Sequence, residues 1–290
     1  MPAHLSLLSI ASDLASLTVV PELGGRILEL TDLARGRQWM WRNHTVALQP
    51  RPPGSVYDDT WVGGYEELFP NDAPTGAYPD HGELWSLPWE TTEASGDRVT
   101  LEVQGPHTGA RVSKQITLTG SVVRIDYRLE HRGPEPLPHL FKLHPAIAVT
   151  EHCTIDLPGG RVEPVDPEFG NILQSPYSAP WPGNGDLSRC RAPSSRTREF
   201  VYVHDAPEGW CGITDHAAGA RLRLHYPTEV FPYCWLFMTY GGWRGHNVVV
   251  LEPCTNYPKD LAAAVRGGTA AVLNAHETRA IGVEISLGGS

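Results

Sequence analysis

Residues 122–130 alternate strictly: Val123, Ile125, Tyr127 and Leu129 fall on one side, and Arg124, Asp126, Arg128 and Glu130 on the other. A period of two belongs to an antiparallel strand with one face buried and one face wet. It recurs in 99–104, 221–226 and 281–286, and 23–30 and 199–205 also read as strands. Segments 234–240 and 247–253 are apolar on both sides, as in strands covered on both faces. Helical spacing is nearly absent. The best stretch is 258–268, where Pro258 suits a first helical position and Gly267 an end, with a loop of one turn as the alternative. The 26 prolines and 29 glycines fall mostly between the strands, as turn chemistry requires. The pattern predicts an all-β sandwich or barrel. No internal repeat and no long linker interrupts it, so residues 1–290 are expected to form one domain, a length that large all-β domains reach. The stretch from Pro164 to Ser195, rich in Pro, Gly, Ser and Asn, reads as a long excursion on the surface or at the mouth of a site.

Charge narrows the partners. The formal net charge is −10 and the basic residues are scattered singly, which disfavours nucleic acid and anionic membranes. The first twenty residues lack a basic start and carry Asp13, so they read as a strand or hairpin rather than a leader. No apolar run reaches the roughly 18 residues of a membrane helix. Five cysteines without a CxxC pair fit free thiols in a reducing compartment, and a cytoplasmic location is expected.

Four segments carry chemistry. WVGGYEELFPN (61–71) and DHGELWSLPWE (80–90) crowd aromatics, glycines, acids and His81 together with Asn71. Aromatic faces beside carboxylates and amides suit a sugar, whose ring stacks and whose hydroxyls need donors and acceptors. In HLFKLHPAIAV (139–149), a strand places Lys142 and His144 on one face and His139 on the other, with Pro145 expected to keep His144 at a strand end or edge. Glu252 follows four apolar residues, and a buried carboxylate is costly unless paired or used as a base. In 231–247, Tyr233, Trp235 and Phe237 share a face, either as core or with Trp235 flooring a pocket. The 13 histidines include no His-x-His pair, and His139 and His144 have the wrong parity for one strand face. Histidines 44, 107, 152, 204, 216 and 276 read as surface residues, and no metal is expected, which disfavours a cupin-type isomerase or a lyase.

In this order, GGYEELFPN, DHGELW, KLHPAI and LEPCTNYP, with ELGGRILELTD at the start and AVLNAHETRAIGVEIS at the end, resemble the galactose mutarotase-like (aldose 1-epimerase) family over nearly the whole chain. The resemblance implies a β-supersandwich of two large antiparallel sheets with few short helices. It also implies an acid–base pair acting on a pyranose, with no metal or organic cofactor. His144 is implied as the acid at the ring oxygen and Glu252 as the base at the anomeric hydroxyl. His81, Asn71 and Arg26 are implied as substrate contacts, and Lys142 and Trp235 complete the candidate binding set. The expected activity is interconversion of the α and β anomers of a free aldose, by a monomer or homodimer. A sugar phosphate becomes the expectation if Arg26, Lys142 and Arg244 converge. The Asn-His-x-x-Phe-Asn context of galactose-specific members is absent around His144, so galactose itself is not implied. The alternative from another class is a non-catalytic carbohydrate-binding or regulatory protein on the same fold. Glu252 separates the two readings. A buried carboxylate facing His144 across a cleft points to catalysis, and a Lys or Arg locked onto Glu252 points to binding alone.

Overall fold

A computed structural model describes residues 5–175 and 177–290. The alternating segment becomes the Val122–Glu130 strand, with Val123, Ile125, Tyr127 and Leu129 buried. It lies within an eight-stranded sheet. The order is Cys153–Asp156, Trp210–Asp215, Ala220–His225, Thr278–Gly289, Val122–Glu130, Arg111–Thr119, Arg98–Gln104 and Glu90–Ala94. The last of these is an edge strand, exposed throughout and carrying Glu90 and Glu93, charges that discourage pairing with another chain.

The second sheet has eleven strands. Its path runs Leu8–Ala11, Ala15–Val20, Arg26–Asp32, Tyr65–Leu68, Lys142–Ala148, Asn247–Cys254, Tyr233–Tyr240, Thr197–His204, Arg161–Pro164 and Ala179–Pro180, with Arg37–Gln38 beside Arg26–Asp32. Strands pair antiparallel in both sheets. The main core takes Ile125 and Val283 from the smaller sheet, and Leu236, Val249 and Leu251 from the larger. The larger sheet also carries an apolar layer on its outer face, where Trp235, Val248 and Val250 meet Tyr57, Trp61 and Trp85 from the segments flanking the Tyr65–Leu68 strand. This explains the unbroken apolar run of 247–254: its alternate residues serve two different buried layers.

Two glycines let the outer layer start. Gly63 and Gly64 both have φ +83°, and a Cβ on Gly63 would lie 2.1 Å from the Trp41 carbonyl oxygen. Only glycine allows so close a passage before the chain enters the Tyr65–Leu68 strand.

Three sequence expectations change. The C-terminal helix spans Leu261–Gly267, not 258–268. Asp260 caps it by accepting from the Ala263 amide, and Gly268, at φ +72°, ends it. Pro258 therefore precedes the helix. The strand read at 23–30 begins at Arg26, after a short 3₁₀ turn over Pro21–Leu23. The 164–195 stretch is more anchored than a surface excursion: Ile172, Leu187 and Cys190 are buried, and Ala179–Pro180 pairs with Arg161–Pro164. No helix among the described residues is long and apolar enough to cross a membrane.

Candidate active site

Cross-strand register assembles the site. His144 pairs opposite Glu66, and Glu252 opposite Trp235. Between the two inner strands, Lys142 pairs with Cys254 and Ala146 with Val250, so residue 144 is level with residue 252. Glu66, His144, Glu252 and Trp235 thus form a row across four strands on the outer face. Lys142, two residues before His144, shares that face. Pro145 does not mark a strand end or edge as expected: it lies inside a central strand. Pairing with the neighbouring strand skips from Lys142 to Ala146, leaving Pro145 and Pro253 in the gap. Proline has no amide proton for a ladder, so the strands open locally where His144 and Glu252 sit.

Above this row lies a cavity of about 260 Å³, near the lower end of ligand pockets, which hold roughly 300–1,000 Å³. His144, Glu252, Lys142 and Asp72 are at its polar end, and Trp61, Trp243, Phe200 and Phe237 contribute aromatic wall. His144 is 5% exposed. Its Nε2 lies 3.9 Å from Glu252 Oε1, and its Nδ1 lies 3.2 Å from the Tyr57 hydroxyl and 3.6 Å from Glu66 Oε1. The other oxygen of Glu252 accepts from Lys142 Nζ at 2.6 Å, and the same ammonium donates to Asp72 Oδ1 at 2.6 Å. Lys142 also sits 4.4 Å over the Trp235 ring.

The electrostatics follow from these contacts. Burial works against the Lys142 ammonium, but Asp72 and Glu252 together outweigh it and hold its pKa above the ordinary lysine value. Burial likewise works against the Asp72 and Glu66 carboxylates, yet Lys142 beside the first and Arg26 beside the second hold both below the usual range. His81 takes the left-handed backbone at φ +59° and stacks flat on Tyr57 with ring centres 3.8 Å apart. Such backbone strain in a non-glycine residue concentrates at functional sites. Burial disfavours the charged His81, but a 2.8 Å hydrogen bond to Asp80 and the nearby Asp72 outweigh it, so its pKa is raised.

Of the residues singled out in the sequence, His144, Glu252, Lys142 and His81 line one cavity. Asn71, Arg26 and Trp235 do not line it. Asn71 is fully buried and donates to the carbonyls of Ala73 and Pro79, so it shapes the loop before His81. Arg26 lies beneath the site, paired with Glu66 and with the Gly63 carbonyl. Trp235 is the layer under Lys142, its indole donating to the Asn256 carbonyl at 3.1 Å. Arg26, Lys142 and Arg244 do not converge: Arg244 pairs with Asp59 at 2.8 Å. Tyr57, Glu66 and Asp72 join the site without having been singled out by the sequence pattern. Glu66 had a signal, since two adjacent acids in a strand must face opposite sides, one of them toward each buried layer. Tyr57 opens a four-residue helix, Tyr57–Thr60, and Asp72 lies in a loop, and no periodicity announces the approach of either. Among the described residues, no group of three His, Cys, Asp or Glu is placed to hold a metal ion.

The arrangement offers a small ligand a proton-active nitrogen and a carboxylate side by side, with aromatic surface for an apolar ring face. No protein-family model and no curated protein matches this sequence. Solved structures do match it in fold. The Slr1438 protein of Synechocystis sp. PCC 6803 superposes with a TM-score of 0.75 at 16% identity, over 100% of this chain and 98% of that one. A galactose mutarotase related enzyme from Lactobacillus acidophilus gives 0.72 at 11%, covering 98% of each chain. A galactose mutarotase-like protein from Lactobacillus casei ATCC 334 gives 0.67 at 15%, over 98% of this chain and 100% of that one. The fold is the galactose mutarotase-like β-sandwich.

Proposed function

We propose that the protein interconverts the anomers of a free aldose, with His144 as acid and Glu252 as base. The observation that carries this reading is the 3.9 Å approach of His144 Nε2 to Glu252 Oε1, in a pocket of monosaccharide scale. The anomeric hydroxyl and the ring oxygen are bonded to the same carbon, so two groups this close can serve both. Protonated His144 gives its Nε2 proton to the ring oxygen while Glu252 takes the hydroxyl proton. The ring C–O bond breaks, and its electron pair goes to the ring oxygen as the aldehyde forms. Rotation about C1–C2 and reversal of both transfers closes the ring on the other face. A positioned acid or base typically contributes roughly 10²–10⁴-fold.

The charge of the lining favours an unphosphorylated sugar. Asp58, Asp72, Asp80 and Glu252 face the cavity against Lys142 and Lys259, and Lys142 is already shared by two carboxylates. A phosphate needs convergent cations. One observation favours the second reading, carbohydrate binding without turnover: Lys142 Nζ is locked onto one oxygen of Glu252 at 2.6 Å. Asp72 offsets this by sharing the same ammonium, and the second oxygen of Glu252 stays on the His144 side.

Polarimetry on freshly dissolved aldoses tests the proposal. Faster decay of rotation with the protein, for neutral sugars and not for their 6-phosphates, is the expected result. Saturable binding with decay at the spontaneous rate across the panel would establish the second reading instead.

A further inference from the structure

Tyr57 has one hydroxyl proton and two polar neighbours. Its oxygen makes a short contact with Glu66 Oε1 and lies 3.2 Å from His144 Nδ1. The other oxygen of Glu66 pairs with Arg26, whose guanidinium is also held by the carbonyls of Leu23 and Gly63. All of these side chains are buried. A carboxylate paired with a guanidinium only accepts hydrogen bonds. Tyr57 therefore gives its proton to Glu66, since turning it toward the imidazole would leave two acceptor oxygens in close contact. The Tyr57 oxygen then faces Nδ1 as an acceptor, and Nδ1 must carry a hydrogen.

We infer that Tyr57, backed by Glu66 and Arg26, fixes neutral His144 as its Nδ1–H tautomer, so that the nitrogen on the Glu252 side, Nε2, is the one that takes up and releases a proton. This is the reverse of the tautomer that imidazole side chains favour in water, which makes the statement discriminating. Tyr57, Glu66 and Arg26 are positioning residues: they act through His144. The charged groups facing the imidazole are Glu66 on one side and Glu252 on the other, with Lys142 and Asp72 behind Glu252. The His81 ring centre is 6.3 Å away. Hydrogen-bond geometry alone sets this tautomer, whatever occupies the cavity.

Long-range ¹H–¹⁵N correlation NMR on protein labelled at histidine, recorded where His144 is neutral, reads the tautomer directly. The parent is expected to show a pyrrole-type Nδ1 and a pyridine-type Nε2. In Tyr57→Phe, which keeps the stacking on His81, Nδ1 loses its nearest acceptor and only Glu66 Oε1 at 3.6 Å is left facing it, so the Nε2–H form is expected to gain population. In Glu66→Gln the amide oxygen turns to Arg26 and the NH₂ to Tyr57, which frees the tyrosine proton for Nδ1, so the population inverts. Thermal unfolding checks that the variants fold. A parent with Nε2–H as the major form would overturn the inference. So would a pattern that both folded variants share with the parent, because a packing role alone lowers Tm without moving the nitrogen shifts. Since no turnover is measured, failure of the epimerase reading leaves this result untouched.

Discussion

Glu66 and Glu67 are neighbours in one strand and serve opposite faces of the same sheet. Glu67 points into the sandwich, where it accepts from Lys114 Nζ at 2.6 Å and from the Tyr127 hydroxyl at 2.7 Å, and Tyr127 meets the Tyr65 hydroxyl at 2.7 Å. Glu66 points outward to Tyr57, His144 and Arg26. Each face thus holds a buried lysine on a buried glutamate, Lys114 with Glu67 inside and Lys142 with Glu252 outside. They differ in stoichiometry and access. Inside, one cation meets one carboxylate and both glutamate oxygens are occupied. Burial outweighs the single carboxylate, so the Lys114 pKa falls below its ordinary value. Outside, one cation meets two carboxylates, its pKa rises, and one oxygen of Glu252 is left toward His144 and the cavity. The same residue types make a closed structural pair in one place and an open, acid-rich cluster in the other. What sets the two clusters apart is the surplus carboxylate, not burial as such.

Four experiments probe this contrast, from the largest expected effect to the smallest. Glu252→Gln is expected to lower the anomer interconversion rate by roughly 10²–10⁴-fold, about 2.7–5.5 kcal/mol, with the sugar still bound. Lys114→Met is expected to do the opposite: a stability loss of about 3–5 kcal/mol in urea unfolding, from an unpaired buried carboxylate, with turnover per folded molecule unchanged. Adding Glu67→Gln to that variant is expected to recover most of the loss, because replacing both partners of a buried pair is often nearly neutral.

Asp72→Asn converts the outer cluster into a one-to-one pair like the inner one. Lys142 then pairs with Glu252 alone, and the rate is expected to fall by about tenfold, about 1.4 kcal/mol. Stability against pH gives the smallest effect. Asp72 and Glu66 have folded pKa values below their ordinary 3.8 and 4.5. Their contribution is therefore fully present above those ordinary values and is lost as pH falls through the lowered ones. Urea midpoints are expected to drop as pH falls through the ordinary carboxylate range, and Asp72→Asn should blunt that drop. An Asp72→Asn variant whose midpoint drops over that range as much as the parent's would contradict the assigned Asp72–Lys142 pair.

Much of the architecture was legible because alternation is local. Val123, Ile125, Tyr127 and Leu129 declare a strand without reference to anything else in the chain. The Arg111–Thr119 strand was not read, and Lys114 shows why: it occupies an inward position between Val112 and Ile116, and its partner Glu67 lies 47 positions earlier. Within the site, the parity of Lys142 and His144 was readable from two residues in one strand. The level of His144 with Glu252 depends on register, which sequence separation does not encode. Asn71 and Asp72 show the finer limit. They are adjacent, and the family resemblance implies Asn71 as a substrate contact, but Asn71 turns to the loop carbonyls while Asp72 reaches Lys142. Which of two neighbours faces a cavity is decided by a turn, and a turn has no period.

The central claim is that His144 and Glu252 act on one sugar ring as a single unit. Exchange NMR between the two anomers, run on the parent, His144→Gln, Glu252→Gln and the double variant, tests it most directly. Groups that act as a unit lose nearly everything when either is removed. The account predicts fast exchange for the parent, a similar low rate for both single variants, and no further loss in the double. Variants that exchange the anomers as fast as the parent, or losses that multiply in the double, would contradict it.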